Sequence, residues 1–221
     1  MTTAFPHPLA AALQQGLGAL RLPVSPDTEA RLLRYLDLIA HWNRVYNLTA
    51  IREPQAMLTQ HLLDCLAIVG PLSRELGEAS PRRILDVGSG AGLPGAVLAI
   101  CRPDWQVTCV DAVAKKATFI RQVAAELQLP NLTASHQRVE AMEGPGFDLI
   151  TSRAFATLAD FVNLTRQRLA PEGCWVAMKA HLTDAERLAV PAGVSVFHVE
   201  QLTVPGLDAA RCLVWMRPDV G

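Results

Sequence analysis

Residues Arg82-Arg83-Ile84-Leu85-Asp86-Val87-Gly88-Ser89-Gly90-Ala91-Gly92-Leu93-Pro94-Gly95-Ala96-Val97-Leu98-Ala99 decide how this chain folds. Ile84, Leu85 and Val87 make a short apolar run that stops at glycines, and an apolar, helix-compatible segment resumes from Leu93 to Ile100. The order is strand, glycine loop, helix. Glycines at 88, 90 and 92 let the backbone turn tightly and bring main-chain N–H groups close to a ligand, while the next helix adds partial positive charge at its N-terminus. Such a loop is a cofactor site.

A glycine loop after a strand is also the dinucleotide fingerprint, but the position that would complete G-x-G-x-x-G is Leu93, so the fingerprint fails at its third glycine. Asp86, just before the first glycine, would repel a pyrophosphate and suits a ligand carrying an ammonium group and a sulfonium. That points to S-adenosylmethionine. Its ribose hydroxyls call for an acidic residue at the end of the second strand, and Asp111 closes the run Val107-Thr108-Cys109-Val110 about twenty residues on.

Around this centre the chain has 221 residues, half of them hydrophobic, enough for one substantial core with a small extension. No apolar run approaches the roughly twenty residues of a membrane span, and Met1 to Pro8 lacks the basic-then-apolar order of a signal peptide, so a cytoplasmic protein is expected. Five cysteines are scattered without a C-x-x-C, which favours buried reduced thiols over zinc or disulfides, and no metal is expected. The net charge of -1 argues against a strongly basic nucleic-acid binder and leaves room for a local patch.

Towards the N-terminus, Pro8 to Leu22 reads as a helix, and Ser25-Pro26 supplies an N-cap and first-turn proline for a second. On that second helix Leu32, Leu33, Leu36, Ile39 and Ala40 share one face, with Arg34, Asp37, His41 and Arg44 opposite. Trp42 to Ile51 is rich in aromatic and amide groups able to stack on a base, although Asn47 serves equally as a cap. A helix from Gln55 to Val69 places His61 and Asp64 at i,i+3, where a His–Asp pair locking the helix to the core is preferred over metal ligation. Residues 70–81 read as a linker with a short helical piece.

Beyond the glycine loop, strands are expected at Trp105 to Val110, Leu132 to Ser135, Phe147 to Ser152 and Cys174 to Met178, with helices at Ala114 to Leu127 and Leu158 to Leu169. Val194 to Val199 and Arg211 to Met216 then pair antiparallel, the later strand lying between its neighbours. That is an α/β fold with a seven-stranded, mostly parallel, Rossmann-like sheet, the class I S-adenosylmethionine-dependent methyltransferase arrangement. Residues 81–221 form that domain and 1–80 a helical N-terminal extension packed on it. Strand ends nominate the site: Asp86 to Leu93, Asp111 to Val113, Val139 and Glu140 against an adenine, Ser152-Arg153-Ala154-Phe155 facing the substrate, and Lys179 as a possible phosphate contact.

Asp86 to Gly95, Trp42-Asn43 with Asn47-Leu-Thr-Ala-Ile51, His61-Leu-Leu-Asp64, Lys115-Lys116 with Phe119, Arg138-Val-Glu140, Ser152-Arg-Ala-Phe-Ala156 and Ala177-Met-Lys179 together resemble the bacterial 16S rRNA guanine-N7 methyltransferase family, once called glucose-inhibited division protein B. The resemblance spans roughly residues 30 to 180. It implies transfer of a methyl group from S-adenosylmethionine to N7 of one guanosine in the decoding-region loop of small-subunit rRNA, with the 30S subunit or its precursor expected to present that loop. It also implies cofactor contacts from Gly88, Leu93, the turn Asp111-Ala112-Val113, Val139, Glu140 and Arg153. Guanine N7 offers an in-plane lone pair, so no general base is needed, and orientation falls to Arg153 with Asn47 and His61 as weaker candidates. RNA contacts are expected from Arg34, Arg44, Lys115, Lys116 and Lys179, with Arg31 and Arg52 nearby. A monomer is expected. The competing readings are a small-molecule or protein methyltransferase on the same fold, a nicotinamide oxidoreductase and a non-catalytic RNA binder.

Overall fold

The computed structural model describes residues 6–77, 82–153, 155 and 157–219. The N-terminal helices come first: α1 (Ala10–Ala19) and α2 (Pro26–Tyr46). Ser25 caps α2 by accepting the Thr28 N–H at 3.1 Å, with Pro26 at the first helical position, and Asn47 ends it in the left-handed conformation at φ 48°. Next, Glu53 caps α3 (Pro54–Met57), which runs on as a π-helix (Leu58–Leu63) into α4 (Asp64–Leu66) and, after a turn, α5 (Val69–Leu76). Residues 54–76 are therefore long and apolar enough to cross a membrane by length and composition, contrary to the expectation that no such run exists, but 78% of the apolar window is buried inside the fold. The expected linker from residue 70 is half helix, and the expected boundary near residue 80 lies outside the described residues.

Then follow β1 (Arg82–Val87), α6 (Gly95–Cys101), β2 (Trp105–Asp111), α7 (Ala114–Glu126), β3 (Leu132–His136), a 3-10 turn (Val139–Ala141), β4 (Phe147–Ser152), α8 (Leu158–Thr165), β5 (Leu169–Lys179), α9 (Asp184–Leu188), β6 (Val194–Leu202) and β7 (Arg211–Pro218). Sheet order is β3-β2-β1-β4-β5-β7-β6, parallel through β5 and antiparallel at β7 and β6, as expected. The helix expected through Leu169 stops at Thr165, because β5 takes up the chain from Leu169 to pair with Phe147.

Alternate residues of β1 face different layers, as a strand requires. Ile84 packs with Leu13, Leu32, Ile39, Leu62 and Trp105, whereas Leu85 and Val87 pack with Ile150, Phe161, Trp175 and Val214 on the other face. The apolar sides of α1, α2 and the 54–76 helix belong to the same buried cluster as α6 and one face of the sheet. The extension and the sheet share a core.

Candidate active site

Two cavities open at the carboxyl ends of the strands. The first, of about 190 Å³, is walled by Gly88, Asp111 and Ala112 from the ends of β1 and β2, by Val139 and Glu140 of the 3-10 turn, and by Phe155. The second, of about 470 Å³, is walled by Ile51, Gln60, His61, Asp64, Arg153, Phe155, Lys179 and Arg211. Phe155 is common to both. Ala154 and Ala156 of the expected substrate motif lie outside the described residues.

Asp86 is fully buried at the end of β1. Its Oδ2 accepts the Gly95 N–H at 2.8 Å, and its Oδ1 has no partner. Burial pushes its pKa from 3.8 to about 7, against the Gly95 hydrogen bond and the Arg153 charge, which lower it. Only glycine fits at 95, since a Cβ there would lie 2.4 Å from Cys109 Sγ and 2.9 Å from Asp86 Oδ2. Asp111 organises the loop from the neighbouring strand, its Oδ2 accepting the Gly90 N–H at 3.0 Å and its Oδ1 the Val113 N–H at 2.9 Å. Gly90 sits at φ +57°, where a side chain is strained although a Cβ would meet open space.

Leu93 is buried in the core rather than on the cavity wall, and its N–H is used by the Ser89 carbonyl at 3.0 Å. Gly92 turns inward too. Its carbonyl and that of Ala91 accept the buried Tyr35 hydroxyl at 3.2 and 2.7 Å, so a residue of α2 grips the glycine loop from beneath. The sequence reading missed Tyr35; its only signal was a polar-tipped aromatic inside the apolar stripe of α2. Tyr35→Phe leaves those carbonyls without their donor and is expected to lower the unfolding free energy by about 1–3 kcal/mol, read from denaturant melts. An unchanged midpoint would mean that the contact does not hold the loop.

In the second cavity Asp64 is the organising group. Its Oδ1 accepts Arg211 Nε at 2.9 Å and its Oδ2 lies 3.5 Å from Arg153 Nη1, which also donates to the Gln60 carbonyl at 3.0 Å. The expected His61–Asp64 pair is not made. His61 Nε2 pairs with Thr49 Oγ1 at 2.7 Å instead, because in the wider π turn residues three apart no longer stack over one another. Burial and then the Arg153 charge lower the His61 pKa to about 4, so the imidazole is neutral near pH 7. Burial opposes the Arg153 charge, yet Cys65, Asp64, Tyr35 and Asp86 around it raise its pKa.

Asn47 is not on either cavity wall. It is the cap of α2, its Oδ1 accepting Arg52 Nη2 at 3.1 Å. Arg34 pairs with Glu126 at 2.9 Å, Arg31 with Asp27, and Lys179 with Glu186. Lys115 donates to the Tyr46 carbonyl at 2.9 Å and Lys116 lies 3.4 Å from Asp111, so these two sit where α2 meets α7, while Arg44 is exposed on α2. No cluster of metal-binding side chains occurs among the described residues.

Strand order, glycine loop and acidic strand ends beside a second cavity define a class I S-adenosylmethionine-dependent methyltransferase fold. TrmN from Thermus thermophilus shares it with a TM-score of 0.55 and 18% identity over 69% of this chain and 48% of that one. A SAM dependent methyltransferase from Aquifex aeolicus does so at 0.54 and 16% over 77% and 96%. In sequence, the model of the rRNA small subunit methyltransferase G family matches residues 28–214. Proteins named Ribosomal RNA small subunit methyltransferase G from Leptothrix cholodnii and Methylibium petroleiphilum are 61% and 57% identical, over 93% and 94% of this chain and 94% of each relative. The chain belongs to the rRNA small subunit methyltransferase G family and is a methyltransferase.

Proposed function

We propose that the protein transfers a methyl group from S-adenosylmethionine to N7 of one guanosine in the decoding-region loop of 16S rRNA. The observation that carries this reading is the pair of cavities sharing Phe155, one edged by carboxylates and the other by a compensated guanidinium. The adenosine end of the cofactor fits the first. Asp111 suits its ribose hydroxyls and Val139 with Glu140 the adenine, while Asp86, fully buried and on neither cavity wall, offers its unpartnered Oδ1 to the ammonium group. When bound, its sulfonium supplies the methyl group.

The second cavity suits a guanine that needs no deprotonation. His61 is neutral near pH 7 and, with Nε2 paired to Thr49 and Nδ1 buried, serves as a wall rather than a base. Alkylation at N7 leaves the ring cationic, which a bare guanidinium would oppose, but the Asp64 carboxylate offsets Arg153 and leaves it to position the base. Arg211, which shares the Asp64 carboxylate with Arg153, and Lys179, which is paired with Glu186, also line this cavity and suit the nucleotide's phosphates. Residues 1–80 act as an extension carrying one wall of this cavity, and 81–221 as the catalytic unit. A chain of net charge -1 binds naked RNA weakly, which favours the assembled 30S particle as substrate; we propose a monomer acting in the cytoplasm.

The test is transfer of radiolabelled methyl to 30S subunits and to naked 16S rRNA from a strain lacking the protein, with the product mapped by cleavage at 7-methylguanosine. Label at one guanosine, faster on 30S, is expected. No label with cofactor binding intact would move the acceptor to a small molecule or protein.

A further inference from the structure

Three of the four large apolar side chains exposed among the described residues, Val45 (72%), Tyr46 (42%) and Val113 (39%), lie where α2 ends against the start of α7. Lys115, two residues past Val113, donates to the Tyr46 carbonyl at 2.9 Å and ties the two elements together. The Tyr46 ring is not loose. It rests on Trp42 with centroids 5.0 Å apart, and Trp42 rests at 5.4 Å on Phe119, which is fully buried. The ledge is within a short reach of chain of both cavities, Val113 being two residues from Asp111 on one wall and Tyr46 five residues from Ile51 on the other. Five residues span at most about 18 Å.

We propose that this ledge is a stacking platform for an unpaired base of the RNA strand that delivers the target nucleotide, a neighbour within a few positions of it. The proposal rests on the rRNA reading given above and deepens it. A single base needs one held aromatic face beside cations, and Tyr46 has Lys115 on its carbonyl with Lys116 beside it across the junction. A stable protein partner needs far more buried surface than one ring and two valines offer, about 800 Å² on each side.

Initial-rate kinetics on 30S subunits test it. Tyr46→Ala and Tyr46→Leu are each expected to raise KM for the particle about tenfold, with kcat and the KM for the methyl donor unchanged, while Tyr46→Trp restores the wild-type value. A leucine that performs like tyrosine, or an alanine variant with unchanged KM, overturns the platform. In the full-length protein, p-benzoylphenylalanine at position 46 irradiated with 30S is expected to crosslink to 16S rRNA; a crosslink to a ribosomal protein assigns the ledge to protein docking and overturns the proposal. Wild-type protein that labels no rRNA overturns the rRNA reading itself, an outcome distinct from wild-type labelling that Tyr46→Ala does not affect.

Discussion

Asp86→Asn is expected to abolish methyl transfer and binding of S-adenosylhomocysteine while leaving the protein at least as stable as wild type at pH 8. The two effects have one origin. Asp86 is fully buried and its Oδ1 has no partner, so its ionised form is disfavoured until a cation arrives, and its pKa stands at about 7 instead of 3.8. In the folded state this group holds its proton where the unfolded chain has lost it. Its contribution is therefore full below pH 3.8 and falls as pH rises to about 7, a loss of about 4 kcal/mol. His61 acts in the opposite sense. Its folded pKa of about 4 lies below the ordinary 6.5, so its contribution rises over that interval by about 3 kcal/mol. The two slopes largely cancel in the wild type below pH 6.5. Asparagine at 86 keeps an oxygen for the Gly95 N–H but does not titrate, which unmasks the histidine, so stability of the variant should climb between pH 4 and 6.5. Thermal melts across that range, with binding by calorimetry, decide it. A variant that still binds the ligand at wild-type affinity would remove Asp86 from the cofactor's ammonium group.

Asp64→Asn should be the most damaging change in the second cavity, with methyl transfer down at least a hundredfold and stability down by about 2 kcal/mol. Removing one member of a buried pair costs about 3–5 kcal/mol, discounted here because Arg153 and Arg211 each keep a quarter of their side chains exposed. An amide oxygen can still take Arg211 Nε, but two guanidiniums then face the cavity without their counter-charge. Cofactor binding should change much less than turnover. In a double-mutant cycle with Arg211→Gln the effects should be strongly non-additive, with a coupling of about 1–3 kcal/mol. Additive losses would show that the carboxylate and Arg211 act independently.

The sheet was legible because its signals are local: glycines after Val87, an acid at the end of each of the first two strands, and apolar runs bounded by turns. The C-terminal hairpin followed from the lack of a long helix between its strands, and β7 does lie between β5 and β6. What stayed hidden depends on contacts across the sequence. Arg211 meets Asp64 from 147 residues away, and Tyr35 meets the glycine loop from 56. The His61–Asp64 pairing failed because i,i+3 logic assumes an α-helix, and nothing in Leu58 to Leu63 announces π winding. Arg34 and Lys179 looked like free cations because Glu126 and Glu186 become their partners only through packing.

The core shared by the N-terminal helices and the sheet also matters during synthesis. All of α1, α2 and the 54–76 helix leave the ribosome before any strand exists to cover them, and the last of these is apolar enough to pass for a membrane span. At roughly 5–20 residues per second, the stretch from residue 76 to the end of β2 takes about 2–7 s to make. For that interval this long apolar helix has no sheet to pack on. Newborn chains paused before Asp111 are therefore the population most exposed to chaperone capture or aggregation, and the glycine loop acquires its Asp111 and Tyr35 supports only once that window closes.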